Sequence, residues 1–575
     1  MRRQLVRLLG FTKNAKLSLV VLVISGIAGS VCSLLAPVFI GKAIDSLALF
    51  NVDFPQLFNN IKILAALYIS SAFFEWLLMQ SANNVGYRTA EALRQAGYEK
   101  LHTLPISSID RGSRGDFTSR IIIDTQNVSQ GLIQGLPKMV QGVSAIVGTM
   151  ISMAIISLPI ALTVALLTPL SVLVARKITL SSHEHYVMQA EAQGDFSGFI
   201  TERISNRDII SAFYAHEGNI KSFNKYNETL TSKTYTAQLY GALVNPSTRF
   251  VNHIVYVSVG LVGSLLSLAG LISIGQVSSL LFYTNQYTKP FNEISGVIHQ
   301  LQSAYAAVGR VFALLDRQNE KEDYESPPEY ISSIGNVDFQ NVHFSYEKSK
   351  PLIREFSLKV KPGEKIAIVG ETGAGKTTIV NLLMRFYDID SGDIKIDGNS
   401  IYRLKRSQLR SMFAMVLQDS WLFSGTVRDN IAFGKLDATV EEIISAAKRA
   451  HAHGFISRLP NGYNTLLSGE MGLSGGQMQL LCIARVLINN PPILILDEAT
   501  SSVDTRTEML VNRAFDDMMK GRTSFIIAHR LSTIRSADRI LVMKDGAIAE
   551  QGNHDSLIKQ KGIYYDMYNS QFIQE

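Results

Sequence analysis

Lys365 to Phe386 reads KIAIVGETGAGKTTIVNLLMRF. The uncharged run Ile366–Val369 stops at a glycine, the signature of a short buried strand. The apolar residues after Thr378 recur at helical spacing, so a helix is expected there. Between the two, Gly370–Thr377 fits G-x-x-x-x-G-K-[ST]. In such a loop the glycines let backbone N–H groups close on phosphate oxygens, and the helix N-terminus adds partial positive charge. Lys376 is placed to reach β- and γ-phosphates, and Thr377 to hold Mg²⁺. The plainer alternative is a glycine-rich turn with a solvated lysine. It does not account for the loop falling between a strand and a helix.

Farther along, residues 491–504 read PPILILDEATSSVD. Ile493–Leu496 is a second buried-strand pattern, and it ends in two acids. Asp497 at the strand end can orient Mg²⁺ and its waters. Glu498 is placed to polarise an attacking water. An acidic strand end that only caps the next helix is the bland reading. The match in register with the phosphate loop weighs against it.

The rest of the chain is different in kind. At 575 residues it is too long for one core. Hydrophobic residues make up 46 % and charged ones 18 %, but the uncharged runs crowd the first half. A span needs ~20 mostly apolar residues. Leu17–Gly41 has no charge and Ile63–Tyr87 has only Glu75. Met139–Ala175 is long enough for two spans folded near Pro159, and Phe250–Thr288 for two folded near LAGLISIG. Six spans result, at about 17–41, 60–87, 139–157, 159–177, 248–269 and 274–297. The basic start, MRRQLVRLLGFTKNAK, has no small-residue cleavage site after it, so the first run reads as a retained span. Lysine and arginine gather in that start and in the second-to-third and fourth-to-fifth connections. Both termini and both long connections are therefore expected in the cytoplasm.

A net charge of +6 is modest for this length and gives nucleic-acid binding little support. The two cysteines, Cys32 and Cys482, lie far apart in sequence, which argues against a disulfide framework and fits a reducing compartment. Glu75 lies mid-span, where an acid is either functional or faces water or a neighbouring helix. Lys289 and Glu293, four apart around Pro290, read as a local ion pair or a cavity-lining charge. The aromatics of Phe282–Tyr287 suit either a pathway for apolar cargo or helix packing.

Asp316–Tyr330, DRQNEKEDYESPPEY, is charged and proline-bearing and reads as a domain boundary. After it the motifs follow a specific order: VDFQNVHFSY ending in Tyr346, the phosphate loop, VLQDSWLF with Gln418, LSGGQ at 473–477, SSVD at 501–504 and IIAHRLST with His529. This order resembles the nucleotide-binding domain of ABC transporters. The six apolar runs ahead of it resemble the exporter-type arrangement, so the resemblance covers essentially the whole chain. Residues 109–128 and 208–223 look like the two cytoplasmic coupling regions of that family.

The resemblance implies an all-α transmembrane domain of six helices with long cytoplasmic extensions (1–315), a linker (316–334), and an α/β P-loop ATPase domain (335–575). That second domain would carry an antiparallel β subdomain and a helical subdomain. Tyr346 would stack on adenine, and Gly370, Glu371, Thr372, Gly373, Ala374, Gly375, Lys376, Thr377 and Thr378 would wrap the phosphates of ATP. Thr377, Gln418 and Asp497 would hold Mg²⁺. Glu498, His529 and Gln418 would serve hydrolysis. Ser474, Gly475, Gly476, Gln477 and Asp504 would meet ATP across a dimer interface.

One chain carries half the family's complement, which implies a half-transporter that pairs with a second chain. Met478 and Leu480 stand where the family commonly has arginine. The wording of QLLCIAR and VNLLMRFYD resembles chains of bacterial heterodimeric exporters, which favours a heterodimer over a homodimer. The expected activity is ATP-driven export of hydrophobic or amphipathic small molecules, lipids or peptides across the plasma or inner membrane. An exporter-fold importer of metal chelates and a lipid flippase are the alternatives.

Overall fold

In the computed structural model of this chain the apolar first half is helical almost throughout. The structure describes residues 2–12, 15–48, 53–110, 112–321, 323–324, 333–417, 421–467, 473–497, 505–528 and 531–572. The chain divides into two units, one of Met1–Thr103 and Gly112–Gln318, the other of Leu104–Arg111 and Asn319–Glu575.

The first unit contains α1 (Arg2–Phe11), α2 (Lys16–Ala48) and α3 (Phe54–Thr103). The short α4 (Ile106–Asp110) follows in sequence but belongs to the second unit. The first unit resumes with α5 (Arg114–Thr118), a π-helical turn at Ser119–Asp124, α6 (Thr125–Ile156), α7 (Leu158–Ser205), α8 (Arg207–Ala212), α9 (His216–Ala242), α10 (Val244–Leu268) and α11 (Ile274–Leu315). Apolar residues surround α2 on all sides, as suits a helix with lipid on one face and helices on the others. Among the described residues four stretches are long and apolar enough to cross a membrane: Lys16–Leu47, Phe54–Thr103, Gly115–Ile156 and His216–Leu268. Leu158–Leu170 is a shorter apolar run. The break between α6 and α7 falls at Ser157, which is extended, with Pro159 in the first turn of α7. That between α10 and α11 falls at 269–273, where Gly270 has φ +71°.

Small residues let two helices cross closely. A Cβ on Gly41 of α2 would stand 2.5 Å from the Gly275 carbonyl oxygen of α11, so the two backbones touch there. Nearby, Tyr283 is fully buried and its hydroxyl donates to the Leu34 carbonyl at 2.6 Å, while Gln286 donates to Ser33 Oγ at 2.7 Å. The run Phe282–Tyr287 thus serves mainly to pack α11 on α2. The π turn brings Asp124 inward, where both its oxygens accept from Arg310 at 2.6 and 2.9 Å. Glu75 lies exposed on α3 beside the exposed rings of Phe73 and Trp76. The side chain of Glu293 lies outside the described residues.

The second unit opens with β1 (Val337–Phe344), β2 (Ile353–Val360), β3 (Lys365–Gly370), α12 (Lys376–Leu383), β4 (Ser391–Ile396), β5 (Asn399–Ser400), α13 (Arg406–Ser411) and β6 (Phe413–Val416). A helical section follows: β7 (Gly425–Thr426), α14 (Val427–Ala432), α15 (Val440–Arg449), α16 (His453–Ile456), β8 (Leu466–Leu467) and α17 (Gly475–Asn489). The chain then returns through β9 (Ile493–Asp497), α18 (Thr505–Met519), β10 (Thr523–Ile527), α19 (Leu531–Arg535), β11 (Arg539–Lys544), β12 (Ala547–Gly552), α20 (His554–Gln560) and α21 (Ile563–Phe572). The main sheet has the order β12-β11-β3-β10-β9-β6, parallel except for the β11–β12 hairpin. Its central strands are buried on both faces, which is why their sequences run apolar without alternation. A separate antiparallel sheet, β2-β1-β4-β5, packs its inner face on α12.

The start of the acidic segment is tied into this unit. Asp323 accepts from the Arg406 backbone N–H at 2.9 Å and from its guanidinium at 2.6 Å, and Glu320 lies 3.0 Å from the same guanidinium. Lys321 donates to Asp388 at 3.1 Å. Within the stretch expected as a linker, Glu320–Asp323 is therefore anchored by ion pairs at its described residues. Just before it, Asp316 pairs with Arg7 in the first unit.

Candidate functional site

Parallel strands place several loops at one sheet edge. Ile527 of β10 is in register with Ile368 of β3 and with Asp497 of β9, and Leu496 is in register with Val416 of β6. The carboxyl ends of β3, β10, β9 and β6 therefore open on the same edge, where ligands of open α/β sheets bind.

The phosphate loop leaves β3 at Gly370. Gly375, the residue before α12, has φ +96°, and a Cβ there would come within 2.7 Å of the Ile353 side chain, so glycine is required on both counts. Ala374, Gly375 and Thr378 are buried, whereas Glu371, Thr372, Gly373 and Thr377 are exposed. Lys376 Nζ donates to the Gly370 carbonyl at 2.8 Å and to the Glu371 carbonyl at 3.0 Å, so the ammonium lies over the loop. Burial pulls its pKa below the ordinary lysine value, and the nearby Asp497 charge opposes that shift. A cavity of about 540 Å³ flanks Gly370–Ala374 and is closed by Met543–Asp545 of the β11–β12 turn and by Ile563, Asp566, Met567 and Ser570 of α21. The exposed loop, the ammonium lying over it and the Asp497 charge near that ammonium suit a nucleotide phosphate chain.

Tyr346 is half-buried beside this loop. Its hydroxyl lies 3.3 Å from Thr378 Oγ1 and accepts from Asn381 at 3.3 Å. Its ring meets those of Phe344 and Tyr387 edge-on, with centroids 4.9 Å away in each case. Tyr387 in turn donates to Asp110 of α4 at 2.6 Å, joining residues 104–111 to the phosphate-loop side of this unit. The sequence reading placed a coupling region at 109–128. The structure puts Leu104–Arg111, with α4, in the second unit and Gly112 onward in the first.

The signature segment lies elsewhere. Ser474 is the N-cap of α17: its hydroxyl accepts from the Gln477 N–H at 3.3 Å, and Gln477 Oε1 accepts from the Ser474 N–H at 3.1 Å. A Cβ on Gly475 would meet open space, while Gly476 is buried. α17 packs on α14, α15, α18 and β6, whereas α12 packs on β3 and β10. None of Ser474–Gln477 lines the cavity at the phosphate loop. Leu480, the position where an arginine was expected, is a core residue at 1 % exposure, so the substitution there serves packing.

Gln418, Glu498, Asp504 and His529 lie outside the described residues. The strands that lead to Gln418, Glu498 and His529, β6, β9 and β10, all end on the edge that carries the phosphate loop. Sequence reasoning missed Asn381, Tyr387 and Arg485. Arg485 of α17 donates to the Asn430 carbonyl at 2.9 Å, to Asn430 Oδ1 at 3.1 Å and to the Trp421 carbonyl at 3.2 Å. It thereby fixes the segment that follows Gln418 onto the signature helix. The only available signal was a charged residue inside an otherwise buried helical run.

Comparison with known proteins fits this geometry. The family profile described as ABC transporter matches residues 353–501, and that described as ABC transporter transmembrane region matches 19–291. The chain is 41 % identical to a fatty acid ABC transporter ATP-binding/permease protein of Mycobacterium bovis, over 90 % of this chain and 82 % of that one. It is 33 % identical to a probable multidrug resistance ABC transporter ATP-binding/permease protein of Bacillus subtilis (89 % and 76 % covered). It is also 33 % identical to an ATP-dependent lipid A-core flippase of Syntrophus aciditrophicus (87 % and 83 % covered). With apolar membrane-length helices and an ATP-binding α/β unit on one polypeptide, the chain belongs to the ABC transporter family.

Proposed function

We propose that this chain is one half of a dimeric ATP-driven exporter that moves hydrophobic or amphipathic compounds out of the cytoplasm or the inner leaflet. The observation that carries the reading is α4. A segment from within the membrane half of the sequence is folded into the ATPase unit, where Asp110 meets Tyr387 next to Tyr346. Movement at the nucleotide is thereby linked covalently to α3 and, through α5, to α6.

In this reading Tyr346 stacks on adenine, the 370–378 loop and Lys376 bind the phosphates, and Glu498 polarises the attacking water. Thr377, Asp497 and Gln418 would hold Mg²⁺, which neutralises charge on the transferring phosphoryl group. His529 contacts the γ-phosphate side. Ser474–Gln477 and Asp504 complete the site on the second chain, which is consistent with a capped α17 that lines no part of this chain's phosphate cavity. Closure is driven only by the extra contacts ATP makes in the closed dimer. A related second chain is favoured over an identical one because the wording of QLLCIAR and VNLLMRFYD resembles chains of bacterial heterodimeric exporters. The protein lies multi-pass in the cell membrane, with both termini and the ATPase domain cytoplasmic. The three relatives named for fatty acid, drug and lipid A-core transport support amphipathic cargo without choosing among them. A flippase activity remains the second reading on that ground.

The test is ATP-dependent uptake of a hydrophobic dye into inside-out vesicles carrying the full-length chain and its co-purifying partner. Glu498→Gln is expected to retain ATP binding and lose most hydrolysis and uptake. Near-normal turnover in that variant would overturn the role of Glu498, and dye uptake that ignores ATP would overturn the transport reading.

A further inference from the structure

Between α2, α6 and α11 lies a cavity of about 680 Å³, within the range of drug-sized ligand sites. Its walls are apolar, with Val31, Leu34 and Val38 on α2 and Ile151 and Ile155 on α6. Its polar end lies where α2 and α11 touch at Gly41 and Gly275, and there Lys42, Asp45, Ser273 and Gln276 meet.

The polar groups at that end differ in what they have left to offer. Asp45 Oδ2 accepts from Ser273 Oγ at 2.6 Å and Oδ1 from the Gly275 N–H at 2.8 Å. Both its oxygens thus serve the start of α11, whose N-terminal partial charge balances the carboxylate. Ser273 and Gln276 exchange a capping box. Ser279 donates to the Pro37 carbonyl and Tyr283 to the Leu34 carbonyl. Lys42 is different: it is exposed, its Nζ sits 5.2 Å from the Phe39 ring centroid, and among the described residues it has no ion-pair or hydrogen-bond partner. The end of an apolar slot therefore presents one uncommitted cation, while the acid one turn away is already engaged.

We propose that this cavity takes a single-chain amphiphile with a carboxylate head, its chain along the α2–α6 wall and its head on Lys42. The apolar wall accounts for the chain through burial of apolar area. Lys42 accounts for the sign of the head, because a charge-assisted hydrogen bond to it forms without displacing an internal partner. A cationic head would have to compete with Ser273 and Gly275 for Asp45. The proposal rests on the transport reading for its meaning, but not for its test.

The experiment measures displacement of a fluorescent fatty acid from the full-length protein in nanodiscs without nucleotide. The competitors are three amphiphiles of equal chain length: a fatty carboxylate, the primary alcohol and the quaternary ammonium. The carboxylate is expected to bind about ten-fold tighter than the alcohol, with the ammonium weakest. Lys42→Gln should abolish the preference for carboxylate over alcohol, and Lys42→Arg should keep it. Ile151→Trp, at an exposed position of the wall, should weaken all three alike by filling the slot. An equal affinity for carboxylate and alcohol in the unaltered protein, a preference that survives in Lys42→Gln, or a preference for the ammonium each overturns the proposal. Dye uptake by vesicles decides the export reading separately. Uptake without carboxylate preference sinks only this proposal, and carboxylate preference without ATP-dependent uptake sinks only the export reading.

Discussion

Replacing Arg485 by alanine tests whether the signature helix holds the segment after Gln418. The guanidinium makes three hydrogen bonds, two to Asn430 and one to Trp421, and lies 5.5 Å over the Phe433 ring. Asn430 is fully buried, so its backbone carbonyl loses a donor that water does not readily replace. A hydrogen bond to a charged group is worth about 1.5–3 kcal/mol net. The three donors share one group, so they do not add, and about 2 kcal/mol for the Asn430 pair is a fair sum. The Trp421 bond and the ring contact add roughly 1 kcal/mol together. About 3 kcal/mol should lower the thermal midpoint of a domain of this size by roughly 6–12 °C. Arg485→Lys keeps the charge but cannot span Asn430 and Trp421 together, so it should recover only part of the loss. The assay is thermal unfolding of the full-length protein in detergent, followed by ATP turnover and ATP affinity. Turnover should fall more than affinity, because the loosened Trp421–Phe423 segment follows Gln418 and not the phosphate loop. An alanine variant within roughly 2 °C of the unaltered protein, or a lysine variant equal to it, refutes the clamp.

Two further perturbations test other parts of the chain. Arg310→Gln leaves Asp124, whose side chain is 4 % exposed, without its cation; the loss should be about 2 kcal/mol, less than for a fully buried pair because Arg310 is half-exposed. Detergent-extracted protein should melt earlier, and adding Asp124→Asn should restore part of the loss; a midpoint unchanged in the single variant contradicts the assignment. Burial pushes the Tyr402 and Tyr564 phenols up to about 12, from an ordinary value of 10.0. Both ionise more readily in the unfolded chain, so their contribution is complete below pH 10 and lost as pH rises from 10 to about 12. The unfolding midpoint should drop across that window, with a shallower drop in Tyr402→Phe, and identical pH profiles for the two proteins would rule this out.

What the sequence made legible was local. IAIV and ILIL declare buried strands because each is apolar without alternation, and the glycines between them can only be a loop. The order of the parallel sheet is less local: apolar runs mark β3, β9 and β10 as buried on both faces, but which strand lies beside which is set by the fold. The site was legible to the same extent: the residues of 370–378 are contiguous and carry their own geometry. Asn381 and Tyr387, by contrast, meet Tyr346 only through the fold, and neither has a spacing that announces it.

Charge was the less legible signal, because composition registers a charge without its partner. Residues 316–334 read as a domain boundary, and the two units part between Gln318 and Asn319, but composition did not show that Glu320 and Asp323 are held by Arg406, over 80 positions later, and Lys321 by Asp388. Residues 109–128 read as one coupling region through their resemblance to the family's. The division at Gly112 comes instead from Asp110 finding Tyr387, and from the Asp116–Arg120 pair that starts the next helical stretch at 2.9 Å. Lys42 and Asp45 show the same limit at a finer scale. One turn apart on α2, they look like a local ion pair, and an i,i+3 pair would leave no charge over. The N-terminus of α11 arrives from more than 200 residues away and takes the carboxylate at both oxygens. A pairing that no local pattern contains is what leaves the lysine to face the cavity.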